Sequence, residues 1–184
     1  MSALIFDCDG TLADTMPAHY SAWLDILAPH GVPFPEARFY SMGGMPTGKI
    51  LERLFSDAGK VADIDTLTRQ KEEAFLRKLG EIRPIEKVVE VARRGRGSVP
   101  MAVASGGHRR MVELTLRQIG VFDWFPVLVA AEDTTRHKPE PDVFLEAARQ
   151  LGVSPAECTV YEDTDLGIEA ARRAGMRWVD VRTL

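Results

Sequence analysis

The sequence predicts an α/β fold: a doubly wound parallel sheet of the Rossmann-like kind, with a small all-helical insert after its first strand. Three observations predict it. Short apolar runs bounded by turn residues alternate with stretches of helical period, the pattern of a parallel sheet with crossover helices. Polar residues capable of chemistry follow one run after another. Residues 15 to 80 interrupt the alternation with helical patterns alone.

The elements follow in chain order. "ALIF" (3 to 6) is the first strand, apolar throughout as a strand covered on both faces should be. Pro17 shortly after Thr15 suits a helix start, and Tyr20, Trp23, Leu24 and Leu27 then recur at helical spacing. Ile50, Leu51, Leu54, Phe55 and Ala58 mark another helix, and Leu67, Ala74, Phe75 and Leu79 a third. Pro84 ends the insert, so the core is expected over 1–14 and 81–184 and the insert over 15–80. "MAVA" (101 to 104), "VLVAA" (127 to 131), "CTVY" (158 to 161) and "WVDV" (178 to 181) are the remaining strands. Between them, Met111, Val112, Thr115, Leu116 and Ile119 form one face of a helix over 108–118. Val143, Phe144, Ala147, Ala148 and Leu151 do so over 141–151. A last helix after 165 runs to a Gly175 cap, with Ile168, Ala171 and Ala174 on one side.

With 184 residues, 45% of them hydrophobic and 27% charged, the chain has the composition of an ordinary globular domain. A net charge of −4 provides no electrostatic footprint for nucleic acid or an anionic membrane. No apolar run reaches the length of a membrane span, and an aspartate follows "MSALIF" directly, so a cytoplasmic protein is expected. Cys8 and Cys158 lack the spacing of a zinc site or a disulfide framework and read as apolar filler.

The polar residues after the strands carry the function. Asp7 and Asp9 follow the first, Ser105-Gly106-Gly107 the second, Lys138 comes shortly after the third, and Glu162-Asp163 ends the fourth. In an open parallel sheet these positions share one edge, at the carboxyl ends of the strands, where ligands bind. Four carboxylates with no nearby His or Cys ligand suit a hard, oxygen-seeking cation, and Mg²⁺ is preferred where it shares ligands with a phosphate. Lys138 adds a positive charge, while Ser105 and the Gly106 and Gly107 amides are neutral donors for phosphate oxygens. Each piece has a bland reading as a turn former, a helix cap or a solvated lysine. Their placement after successive strands makes a phosphoryl site.

"DCDGTLADT", "VASGG", "HKPEPDVF" and "YEDTDLGIEAARRAGM" together resemble the four motifs of the haloacid dehalogenase superfamily phosphohydrolases with a small helical cap. The likeness extends over residues 3 to about 181. It points to the β-phosphoglucomutase-like group, and within it to the fructose-1-phosphate phosphatase branch, through "GGMPT" and the C-terminal segment. The resemblance implies Asp7 as nucleophile and Asp9 as proton donor and then acceptor. It also implies Mg²⁺ held by Asp7, the Asp9 carbonyl, Asp163 and Glu162, with Ser105 and Lys138 on the phosphoryl oxygens. The insert becomes a cap hinged near Asp14-Thr15 and Pro84, bringing His19, Trp23 and the Gly43–Thr47 loop, with Gly44 and Thr47, to the leaving group of a small phosphate monoester.

Mutase members of that group carry a basic residue where this chain has Thr47, and a Lys-Asn pair where it has His108-Arg109. Thr47 favours hydrolysis. Arg109 is a candidate contact for substrate and leaves room for a mutase, as does Lys49 nearby. A dehalogenase would need neither the metal nor Asp9, and a module that only binds phosphate ligands would be expected to lack a catalytic position. A monomer is expected, since such a core needs no partner.

Overall fold

The computed structural model describes residues 2–184. Its strands are β1 (Ala3–Phe6), β2 (Met101–Ala104), β3 (Val127–Val129), β4 (Cys158–Glu162) and β5 (Arg177–Asp180). They form one sheet of order β3-β2-β1-β4-β5 in which every pairing is parallel. The chain steps outward from β1 to β3 and then crosses back to β4 on the other side of β1. The β1–β4 boundary is therefore a topological switch point, with a crevice at its carboxyl end. The α/β class read from the sequence is the one observed.

Side chains of successive strand residues point to opposite faces, and the helices divide accordingly. Ile5, Ala102, Ala104, Val129 and Val160 pack against α7 (Asp142–Leu151) and α8 (Asp165–Arg173). Phe6, Met101 and Val103 pack against α5 (Glu86–Gly95) and α6 (Arg109–Gln118), where Phe6 also stacks on Tyr161 at 4.9 Å. Helix α5 escapes the sequence reading because its apolar stripe, Val88, Val89 and Ala92, is narrow and set among charges.

Three boundaries differ from expectation. The run 127–131 leaves the sheet at Val129, because the Ala130 amide is taken by the Asp133 carboxylate at 2.7 Å. β4 extends by one residue, so Glu162 lies within the ladder opposite Asp180. β5 begins and ends one residue early, and Val181 turns into the core. The buried face of α8 comprises Gly167, Ala170 and Ala171, with Ile168 only half-buried.

Residues between β1 and α5 form α1 (Met16–Leu27), α2 (Glu36–Ser41), α3 (Thr47–Asp57) and α4 (Ile64–Leu76), which share a cluster built on Trp23, Phe34, Phe39, Leu51, Phe55 and Phe75. The chain enters and leaves this layer side by side: Ala13 bridges Pro84, and the Asp14 amide donates to the Arg83 carbonyl at 2.9 Å. Among the described residues, no helix is long and apolar enough to cross a membrane.

Gly167 is required by packing. A Cβ there would fall 1.7 Å from Glu162 Oε1, a side chain with no exposure. Gly167→Ala is expected to destabilise the fold by about 1–3 kcal/mol through overpacking, although alanine is intrinsically about 1 kcal/mol the better helix former. Denaturant unfolding measures this, and an unchanged midpoint contradicts the packing.

Candidate active site

Asp7 stands one residue past β1, where its amide still pairs with the Tyr161 carbonyl of β4 at 3.0 Å. The chain then turns tightly, the Cys8 carbonyl accepting from the amides of Leu12 and Ala13. Gly10 has φ +84°, and a Cβ there would meet Asp163 Oδ2 at 2.3 Å, so glycine alone fits the turn. This turn sends the two aspartates in different directions.

Asp7 faces the core. Lys138 Nζ donates to Asp7 Oδ1 at 2.6 Å and to Glu162 Oε1 at 2.7 Å, with the lysine side chain fully buried. Burial works against its charge, yet the two carboxylates outweigh it and hold Lys138 well above the ordinary lysine range. Burial also raises Asp7, an effect that Lys138 opposes and that Glu162, Asp163 and Asp9 reinforce. Burial and then Glu162 push Asp163 up to about 7. Oxygens of Asp7, Glu162 and Asp163 lie within 4.8 Å of one another. Three carboxylates against one ammonium, with oxygen donors only, fit a hard divalent cation.

Asp9 faces the helical layer. Thr15 donates to its Oδ1 at 2.8 Å, and His19 Nε2 lies 3.2 Å from the same oxygen. The far ring nitrogen of His19 is 2.8 Å from Lys71 Nζ, and the ring stacks on Phe75 at 4.0 Å. Burial opposes the Asp9 charge, but His19 and Thr15 hold the carboxyl below its usual range. Burial and the nearby Lys71 depress His19, and burial brings Lys71 down to about 8.

One cleft collects most of the residues singled out from the sequence. Asp7, Asp9, Ser105, Gly106, Gly107 and Glu162 line its floor; His19, Trp23, Gly44 and Thr47 line its roof. The roof rests directly on the floor, since a Cβ on Gly106 would fall 2.2 Å from the Gly44 carbonyl oxygen. Lys138 sits behind Asp7 rather than in the lining. Asp163 opens into a neighbouring recess, where Thr11 donates to it at 2.8 Å. Trp23 both lines the cleft and belongs to the core of the helical layer, at 2% exposure.

Arg109 lies outside the lining of the cleft. Its guanidinium is drawn to Asp133 at 2.5 Å and the Leu128 carbonyl at 3.1 Å, outside the cleft. Lys49 points to Glu52 at 2.9 Å on the surface. Cys8 is buried, and burial followed by Asp9 and Asp7 pushes its thiol up, as an inert filler requires.

The sequence reading missed Lys71, Glu72 and Thr15. Lys71 carries a signal in retrospect: it lies between Leu67 and Ala74–Phe75 at i+4 and i+7, a lysine within an apolar stripe, and it is 5% exposed. Glu72, hydrogen-bonded to His108 across the cleft, has no such mark.

Residues 1–175 match the haloacid dehalogenase-like hydrolase family. The chain is 39% identical over its whole length, and over 97% of the relative, to the fructose-1-phosphate phosphatase YqaB of Escherichia coli (strain K12). It is 30% identical to the β-phosphoglucomutase of Bacillus subtilis (strain 168), covering 98% of this chain and 83% of that one. Among solved structures, a hydrolase from Pseudomonas syringae superimposes with a TM-score of 0.87 at 26% identity, over 97% of this chain and 83% of that one.

Lys138 is the only counter-charge within hydrogen-bonding distance of both Asp7 and Glu162 among the described residues. Lys138→Met leaves two buried carboxylates uncompensated and is expected to cost about 3–5 kcal/mol of stability. Urea unfolding at neutral pH reads the loss; a cost below about 1 kcal/mol, the range of an exposed pair, contradicts this account.

Proposed function

Because the chain belongs to the haloacid dehalogenase-like hydrolases, we propose that it is a Mg²⁺-dependent phosphatase of small sugar or polyol phosphate monoesters, with fructose 1-phosphate the best single candidate. That it is a phosphoric monoester hydrolase follows from the family and its phosphatase relatives; the metal, the substrate and the residue roles are the proposal. One observation carries it: a buried carboxylate, Asp7, backed by Lys138 and beside Glu162 and Asp163, opens onto a cleft roofed by helices.

In this reading an Asp7 oxygen attacks phosphorus and the ester P–O bond breaks, leaving an aspartyl phosphate. Asp9 delivers its proton to the departing alkoxide. Water then attacks the aspartyl phosphate while Asp9 takes a proton from that water, and inorganic phosphate leaves with Asp7 restored. The hydrogen bonds from Thr15 and His19 favour ionised Asp9, the form needed for that second step. Ser105, the amides of Gly106 and Gly107, and Lys138 are assigned to the phosphoryl oxygens. Asp7, Glu162, Asp163 and the Asp9 carbonyl would hold Mg²⁺, which would supply further neutralisation of the phosphoryl charge. Residues 15–80 act as a lid hinged where Ala13–Asp14 runs beside Arg83–Pro84, excluding water during transfer. Cytoplasmic residence and a monomeric state belong to the same proposal; the buried free thiols of Cys8 and Cys158 support the former.

Hydrolysis is preferred to a mutase reaction because two basic residues available for a second phosphate are engaged elsewhere, Lys49 with Glu52 and Arg109 with Asp133. Phosphate release from fructose 1-phosphate, measured with Mg²⁺ and with chelator, tests the reading. Activity is expected only with the metal, and Asp7→Asn should lower it by roughly 10³-fold or more. Conversion of β-glucose 1-phosphate to glucose 6-phosphate with added bisphosphate, without phosphate release, would overturn it.

A further inference from the structure

Within the cleft, a polar pair joins its two walls. Glu72 on α4 is hydrogen-bonded through Oε1 to His108 Nδ1, just before α6, and both residues line the cleft. Their side chains are 19% and 35% exposed. The hydrogen bond to Glu72, opposed by burial, raises the His108 imidazole above its usual range. The second carboxylate oxygen, Oε2, has no hydrogen-bond partner among the described residues. Beside it, Lys71 lies over the Trp23 and Phe75 rings, 5.4 and 5.6 Å from their centroids.

This end of the cleft therefore contains two nitrogen bases able to carry charge, Lys71 and His108, with a carboxylate between them. Two cations alone would make a seat for a second anion. Glu72 takes up His108, so that one of the two cations is no longer free for an anion, and sets a carboxylate on the cleft wall. We propose that Glu72 determines leaving-group specificity: its Oε2 accepts a hydrogen bond from a hydroxyl of the departing alcohol, and its charge excludes leaving groups bearing a second phosphate or a carboxylate. The proposal rests on the phosphatase reading above and deepens it by naming the residue that selects a neutral polyhydroxy alcohol over an anionic one.

A plain latch between lid and core would use the same contact, and the two roles separate experimentally. A latch needs both partners, so Glu72→Gln and His108→Asn would have the same effect on every substrate. Exclusion needs only the carboxylate, which His108→Asn retains.

The experiment compares kcat/KM for fructose 1-phosphate and fructose 1,6-bisphosphate in wild type, Glu72→Gln, Glu72→Ala and His108→Asn, all with Mg²⁺. Loss of the carboxylate is expected to lower the monophosphate value by about fivefold, chiefly through KM, as for a lost hydrogen bond to a charged group. Relief of repulsion should raise the bisphosphate value, shifting the ratio by about tenfold or more in both uncharged variants and not in His108→Asn. Glu72→Ala keeps the test open if Glu72→Gln folds poorly. A ratio within about twofold of wild type in the uncharged variants, or an equal shift in His108→Asn, overturns the inference alone. If wild type releases no phosphate from any ester, the phosphatase reading falls and the inference with it.

Discussion

The site depends on one buried ammonium. Lys138 joins the end of β1, through Asp7, to the end of β4, through Glu162, and does so with no exposure of its own side chain. Charges buried this deeply are tolerated only when paired and hydrogen-bonded. Glu162 is constrained from its other side as well: its Oε2 accepts from the Thr164 amide at 2.6 Å and hydroxyl at 2.9 Å, and Thr164 in turn caps α8 through the Gly167 amide at 3.0 Å. The position of the Asp7 carboxylate thus rests on sheet register and on a helix start. Asp163 is raised first by burial and then by Glu162, whose negative charge adds to that of Asp7 around a single ammonium, a local excess that a divalent cation would relieve.

Two residues along the chain, the constraint changes owner. Asp9 receives Thr15 and His19, and through His19 the side chain of Lys71, all from the helical layer or its threshold. Asp7 is therefore set by the core and Asp9 by the helical layer. Movement about the paired strands at Ala13 and Pro84 would alter the surroundings of Asp9 while leaving those of Asp7 nearly intact. The tight turn at Gly10 makes this separation possible within two residues.

The sheet was legible because both faces are covered: apolar runs such as "MAVA" have no other stable use between turn residues. The floor of the cleft was legible for the related reason that topology brings strand ends to one edge. The roof was less so. Helical period places a residue on a face of its own helix but says nothing of the element opposite, so the contact of Glu72 with His108 was invisible. Arg109 shows the same limit in reverse. Its place next to the cleft was readable, while the pull of Asp133, from a loop 24 residues on, was not. Lys71 was within reach, since a charged residue in an apolar stripe needs a buried partner or a function.

The division between floor and roof also bears on selectivity. The floor offers charge and amides suited to a phosphoryl group, whatever alcohol it is attached to. The roof contributes Met16, Trp23, Phe39, Met42, Met45 and Ile50, and the polar side chains beside them are few: Thr47 and the His19–Lys71 and Glu72–His108 pairs. Methionines adapt to irregular shapes, and an apolar wall discriminates poorly between alcohols that differ by a methylene or a hydroxyl. Discrimination by a few kcal/mol requires groups left unpaired by the wrong ligand, and here those groups are few. A cleft so built should accept several phosphate esters of similar size, ranked by how well each alcohol meets those few polar points.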